Sequence, residues 1–197
     1  MSPKQLWLLA GGNGAGKSTF YFRFLQPKGV TFVNADLIAK ERWPDDPEGK
    51  SYEASKVAET LREQLLREGA NFCFETVFSH RSKIDFVAEA KALGYEINLV
   101  FIHLESADLN IARISERVTE GGHNVPCEKV IARIERALVH VCQAIALCDV
   151  VMVLDNSSLD NPFKKVAQVK GGEVMIFQDP LPDWANTLLR PRIKVIK

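Results

Sequence analysis

The sequence predicts an α/β protein, a three-layer α/β/α arrangement built on a mostly parallel sheet with helices on both faces. Three observations predict it. Apolar runs of strand length alternate with longer stretches of helical periodicity along the chain. Several of these runs are apolar throughout, as strands covered on both faces must be. The first run breaks into a glycine-rich loop that leads straight into a helix, a connection typical of such sheets.

The elements follow in order. Leu6-Trp7-Leu8-Leu9-Ala10 is the first strand, and a helix is expected over 17–24 after the glycines. A short β-rich run over 30–36 ends in Asp36, and a loop over 45–50 precedes a helix over 51–68 with apolar residues at helical spacing. The run 71–78 is β-like, and the helix over 81–93 closes on Gly94 as a C-cap. A long buried strand covers 96–104, after which Ser106 caps a helix carrying Ile111, Ile114 and Val118. That helix stops at Gly121-Gly122, Pro126 opens another over 127–147, and a strand covers 149–155. A loop, a last strand over 171–177, a short helix over 184–189 and a basic tail complete the chain. No repeat, linker or composition shift divides it, so a single domain over 1–197 is expected, with a helical lid at about 106–140 and a C-terminal strand and tail at 171–197.

Composition excludes several classes. Of 197 residues 46% are hydrophobic, and 25 Lys and Arg balance 25 Asp and Glu. This neutrality argues against a nucleic-acid or membrane partner, although it allows a local basic cleft. No apolar stretch reaches the roughly 18 residues of a membrane span, and the N-terminus enters the first strand without a signal peptide. Cys73, Cys127, Cys142 and Cys148 show no metal-like spacing with the histidines, and a reducing, cytoplasmic setting fits.

The loop Gly11-Gly12-Asn13-Gly14-Ala15-Gly16-Lys17-Ser18-Thr19 matches the phosphate-loop pattern G-x-x-x-x-G-K-[ST] between a strand and a helix. Glycines bring backbone N–H groups close to a polyphosphate, and the helix start adds positive potential. Lys17 supplies a charge for the outer phosphates and Ser18 a ligand for Mg²⁺. A purine triphosphate, ATP or GTP, is the expected ligand.

Ligands of open parallel sheets bind beyond the carboxyl ends of the strands, which directs attention to Asp36, Glu75 and Asp155. Asp36 reads either as a helix cap or as a general base for an attacking hydroxyl. Glu75 reads as a lone acid at a strand end, or as a group that binds a substrate hydroxyl or reaches a metal through water; Thr76 and Ser79 can add hydrogen bonds. Arg113 and Arg117 share one helix face, and Arg133 and Arg136 another. They form either a solvated hairpin paired with Glu116, Glu120, Glu128 or Glu135, or a lid closing on phosphates across a hinge at Gly121-Gly122-His123-Asn124. The loop at Asn156 is either a polar turn or a flank of the nucleotide.

These stretches together resemble the zeta-toxin family of P-loop kinases. The resemblance is carried by "LLAGGNGAGKST", "FVNADLIA", "FCFETVFS", "RISERVTEGGHNVP" with "IARIERAL", and "VLDNS", across residues 6 to 157. It implies a P-loop kinase-like fold with a five-stranded parallel core, and γ-phosphate transfer from ATP or GTP to a hydroxyl of a UDP-N-acetyl amino sugar. It implies that Lys17 and Ser18 hold the triphosphate and Mg²⁺, that Asp36 is the base, and that Glu75 and Thr76 bind the sugar. Arg117 then stabilises the transferring group, helped by Arg113 or Arg133. Arg133 is a safer match than Arg136, because this chain has Ala132-Arg133-Ile134 where the family often has adjacent arginines. An antitoxin protein is the implied partner. A kinase for another hydroxyl, and a nucleotide-binding switch acting through a protein partner, are the competing readings.

Overall fold

The computed structural model describes residues 3–119 and 125–191. Five apolar runs form parallel strands: β1 (Gln5–Ala10), β2 (Thr31–Val33), β3 (Phe72–Thr76), β4 (Glu96–His103) and β5 (Val150–Asp155). Two antiparallel strands, β6 (Lys164–Lys170) and β7 (Glu173–Ile176), extend the sheet, whose order is β2-β3-β1-β4-β5-β6-β7. The expected α/β class holds, as does the five-stranded parallel core that the resemblance implies, but among the described residues the whole sheet has seven strands where six were read from the sequence. The strand that sequence reading missed is β6. Its lysines and glutamine interrupt the apolar run, and only Val166, Ala167 and Val169 are buried. The expected start of the last strand, Gly171-Gly172, is instead the turn of the β6–β7 hairpin. Both glycines have positive φ, 58° and 85°, as a two-residue hairpin turn of the I′ type requires.

The period-two alternation of strand side chains divides the core in two. Leu6, Leu8, Phe72, Phe74, Leu99, Phe101 and Val153 face one side. There they meet α3 (Ser51–Glu68), α4 (Ser82–Ala92), α6 (Cys127–Ala144) and α7 (Asp183–Leu189), through residues such as Leu66, Val87, Val141 and Leu188. Leu9, Cys73, Val100, Ile102 and Leu154 face the other side. They are covered by α1 (Lys17–Phe20), the π-helical turn Tyr21–Leu25 that continues it, and the Phe163 ring. Two further helices stand at the carboxyl ends of the strands: α2 (Ala35–Arg42), packed on α3, and α5 (Ala107–Thr119), packed on α6.

Local chemistry sets the helix ends. Asn34 caps α2 by accepting Leu37 N–H at 3.0 Å, and Ser106 caps α5 by accepting Leu109 N–H at 3.4 Å. Gly94 follows α4 at φ 82°. Tyr95 Oη lies 3.0–3.3 Å from the carbonyls of Leu65, Leu66 and Ala70, serving the C-terminal end of α3.

The expected hinge residues Gly121, Gly122, His123 and Asn124, with Glu120, lie outside the described residues, as do residues 1–2 and 192–197. Cys73 is buried, Cys142 half-buried, and all four cysteines are free thiols. Among the described residues no helix is long and apolar enough to cross a membrane.

Candidate active site

The glycine loop leaves β1, which lies between β3 and β4, where the chain switches from one half of the parallel core to the other. Packing explains its composition. A Cβ at Gly11 would stand 2.1 Å from the Ile102 carbonyl oxygen, and one at Gly16 would stand 2.5 Å from Asn156 Nδ2. Gly16 also has φ 95°, a conformation that side chains disfavour. Asn110 Nδ2 donates to Asn13 O at 2.6 Å, and Asn156 Nδ2 donates to Ala15 O at 2.9 Å, so two buried amides brace the loop from outside. Lys17 is 8% exposed, and its Nζ donates to the carbonyls of Gly11 (3.1 Å) and Gly12 (2.9 Å). Burial pushes the Lys17 ammonium's pKa down; the carboxylates of Glu75 and Asp36 oppose that shift, and Arg117 adds to it. A close-fitting glycine cradle with a buried lysine and a serine at its helical end fits a triphosphate with its Mg²⁺.

Two cavities meet beyond this loop. The smaller, about 240 Å³, holds Ser18, Thr19, Gly14, Gly16 and Arg113. The larger, about 670 Å³, holds Thr76, Ser79, Tyr52, Lys129 and Arg133. Asn13, Lys17, Asp36, Glu75 and Arg117 line both and form the boundary between them. Ser18 Oγ donates to Glu75 Oε2 at 2.6 Å, tying the phosphate loop to the end of β3. Asp36 sits in the first turn of α2, but the cap there is Asn34, so the carboxylate has no capping role.

The remaining expected residues are committed in part to architecture. Thr76 lines the larger cavity, and its Oγ1 also accepts Phe78 N–H at 2.9 Å. Phe78 is fully buried at φ 62°, a strained conformation for an aromatic residue, three positions after Glu75. Arg113 lines the smaller cavity while its Nη2 donates to Asn156 O at 2.9 Å. Asn156 uses both ends of its amide on the protein, since its Oδ1 also accepts Phe163 N–H at 3.1 Å. Asp155, at the end of β5, accepts the Ser157 N–H and hydroxyl and closes the following turn. Arg136 is exposed, unlike its half-buried neighbour Arg133. Sequence reading missed Asn110. Its signal was a polar residue on the face of α5 that carries Ile114 and Arg117, at helical spacing.

The zeta toxin family model matches residues 2–164. The chain belongs to the zeta toxin family. Membership implies nucleotide binding. An uncharacterized protein of Haemophilus influenzae is 31% identical over 130 residues, covering 62% of this chain and 92% of that protein. The crystal structure of AvrRxo1-ORF1:-ORF2 with ATP matches at a TM-score of 0.73 and 17% identity, over 99% of this chain and 66% of that chain. The zeta toxin homologue thus spans just under two thirds of that chain's length. The PezAT toxin-antitoxin structure of Streptococcus pneumoniae matches at a TM-score of 0.55 and 17% identity, over 79% of this chain and 68% of that chain. These likenesses speak for the fold, which is the P-loop kinase fold.

Proposed function

We propose that this zeta toxin family member transfers the γ-phosphate of ATP or GTP to a hydroxyl of a UDP-N-acetyl amino sugar. The observation that carries the reading is the shared boundary between the two cavities: Lys17, Asp36, Glu75 and Arg117 line both. An acid, a buried lysine and an arginine at the junction of a phosphate cradle and a larger polar cleft suit in-line transfer between them.

In this reading the smaller cavity takes the triphosphate on Gly11–Thr19, and the larger takes the acceptor against Glu75, Thr76 and Ser79. The acceptor oxygen bonds to the γ-phosphorus as the bond to the β–γ bridging oxygen breaks, leaving the nucleoside diphosphate. Asp36 accepts the hydroxyl proton and later returns it to solvent. Lys17, Arg117 and Arg133 stabilise the charge on the transferring oxygens, and Arg113 supports Arg117 from the same helix face. Ser18 would hold Mg²⁺, which would neutralise phosphate charge, and Glu75 would reach it through water or orient the sugar hydroxyl. Action in the cytoplasm as a toxin held by an antitoxin belongs to the same proposal, supported by family membership.

The test is incubation of the protein with γ-labelled ATP, Mg²⁺ and a panel of UDP-N-acetylglucosamine, other nucleotide sugars, nucleosides and oligonucleotide ends. Label on the UDP-amino sugar, lost in Asp36→Ala, is the expected result. Label on another acceptor replaces the substrate, and nucleotide binding without any labelled acceptor replaces the enzyme with a switch.

A further inference from the structure

The cleft has a side arm that phosphoryl transfer does not use. A cavity of about 330 Å³ opens past Tyr52, Ser55, Glu75 and Thr76 and runs between α3 and α4. Phe74 forms part of its apolar floor, and Lys56, Arg62 and Lys83 bring three cations to its wall against the acid Glu59. The Arg62 guanidinium lies 5.1 Å from the centre of the Phe74 ring and 5.9 Å from that of Phe86. Aromatic contacts of this kind hold the guanidinium in place while leaving N–H groups to bond a ligand. Among the described residues no carboxylate comes within ion-pair distance, 4.0 Å, of Arg62 or Lys83. Burial lowers the pKa of Arg62 against the opposing pull of Glu59 and Glu63. Burial also lowers that of Lys83, where the charge of Arg62 adds to the effect and Glu59 opposes it.

We propose that this arm is an anion subsite for the acceptor, in which Arg62 and Lys83 bind a phosphate group carried at a distance from the reacting hydroxyl. The proposal rests on the reading that the larger cavity takes the acceptor. Charge decides between phosphate and carboxylate. Glu75 stands at the mouth, where its charge acts on the buried Lys17; deeper in the arm, three cations against Glu59 leave two positive charges to be compensated. A phosphate group, with a charge of about −1.5 to −2, answers that excess better than one carboxylate. The planar fork of Arg62 also pairs with two phosphate oxygens at once. A neutral hydroxyl compound leaves the repulsion between Arg62 and Lys83 in place, so the arm selects against it.

Pyrophosphate, titrated calorimetrically into full-length protein whose phosphate loop is already filled with Mg²⁺ and a non-hydrolysable ATP analogue, tests this. Arg62→Met and Lys83→Met are expected to lower its affinity by about tenfold to a hundredfold, and Arg62→Lys by less. Affinity for the ATP analogue reports that each variant is folded. Pyrophosphate that does not bind the unaltered protein, or that binds all variants alike, overturns the proposal. Arg62-dependent binding in a protein that phosphorylates no acceptor keeps the subsite and removes the transfer reading. Transfer with the same KM for a phosphorylated acceptor and its dephosphorylated counterpart, in the unaltered protein and Arg62→Met alike, keeps the transfer reading and removes the subsite.

Discussion

Asp36 and Asn34 divide the labour at the start of α2: the amide takes the capping bond, and the acid lines the junction of the two cavities. Asp36→Asn keeps the shape and removes the proposed base. Transfer should fall about 10²- to 10⁴-fold with nucleotide affinity nearly unchanged, as steady-state rates and equilibrium binding will show. A second residue-scale prediction concerns His103, which is 7% exposed, with its ring centre 4.5 Å from that of Trp184. Burial depresses its pKa from 6.5 to about 4, opposed by the Asp155 carboxylate. The unfolded chain therefore binds the proton first as pH falls. Stability from the neutral ring is complete above pH 6.5 and is lost as pH drops through about 4, about 3 kcal/mol in all. Urea denaturation at pH 7 and pH 4.5 should show a smaller pH dependence in His103→Leu; an equal dependence in both proteins would place the acid sensitivity elsewhere.

At the scale of elements, the phosphate loop is held by side chains far from it in sequence. Asn156 links Ala15 O to Phe163 N–H, and Phe163 has φ 58°, so one amide supports both the loop and a strained turn behind it. Asn156→Ala leaves both partners unbonded in a buried place, at a cost of about 1–3 kcal/mol each. Chemical denaturation should report that loss, and nucleotide binding should weaken as the loop loosens. Tyr95→Phe removes the hydroxyl that serves the end of α3 and should cost about 1 kcal/mol while leaving nucleotide binding intact. The stretch expected as a lid contains α5 and α6. Arg117 on α5 and Arg133 on α6 line the cleft, whereas Ala137, Val141 and Ala144 bury the remainder of α6 in the core. The arginines thus stand on a helix pair with one end fixed in the protein.

For the whole molecule, the parallel half of the sheet carries the candidate site, because the ends of β1, β2 and β3 bring the loop, Asp36 and Glu75 to one edge. The antiparallel β6–β7 hairpin lies at the far edge, beyond β5. Ligand binding at a junction of several elements should stabilise all of them together. Mg·ATP at a hundred times its dissociation constant adds about 2.7 kcal/mol, which for a chain of this size raises Tm by about 5–10 °C. Lys17→Ala should remove that shift. Thermal melting with and without nucleotide checks both.

Much of this was legible in the sequence because it depends on residues close together in the chain. The phosphate loop, the α/β class and the near-correct bounds of α3, α4 and α6 follow from apolar period and glycine placement, which are local. Asp36 and Glu75 could be placed at one edge of the sheet because parallel strands align their carboxyl ends, a rule that needs no coordinates. What only the tertiary structure decided depends on contacts between distant segments. It paired Ser18 with Glu75, set Asn110 and Asn156 behind the loop, added β6 despite its lysines, and placed Arg62 over Phe74 on the wall of the side arm. A polar side chain shows its type in the sequence but not its partner, since the partner comes from whichever strand or helix the fold lays beside it.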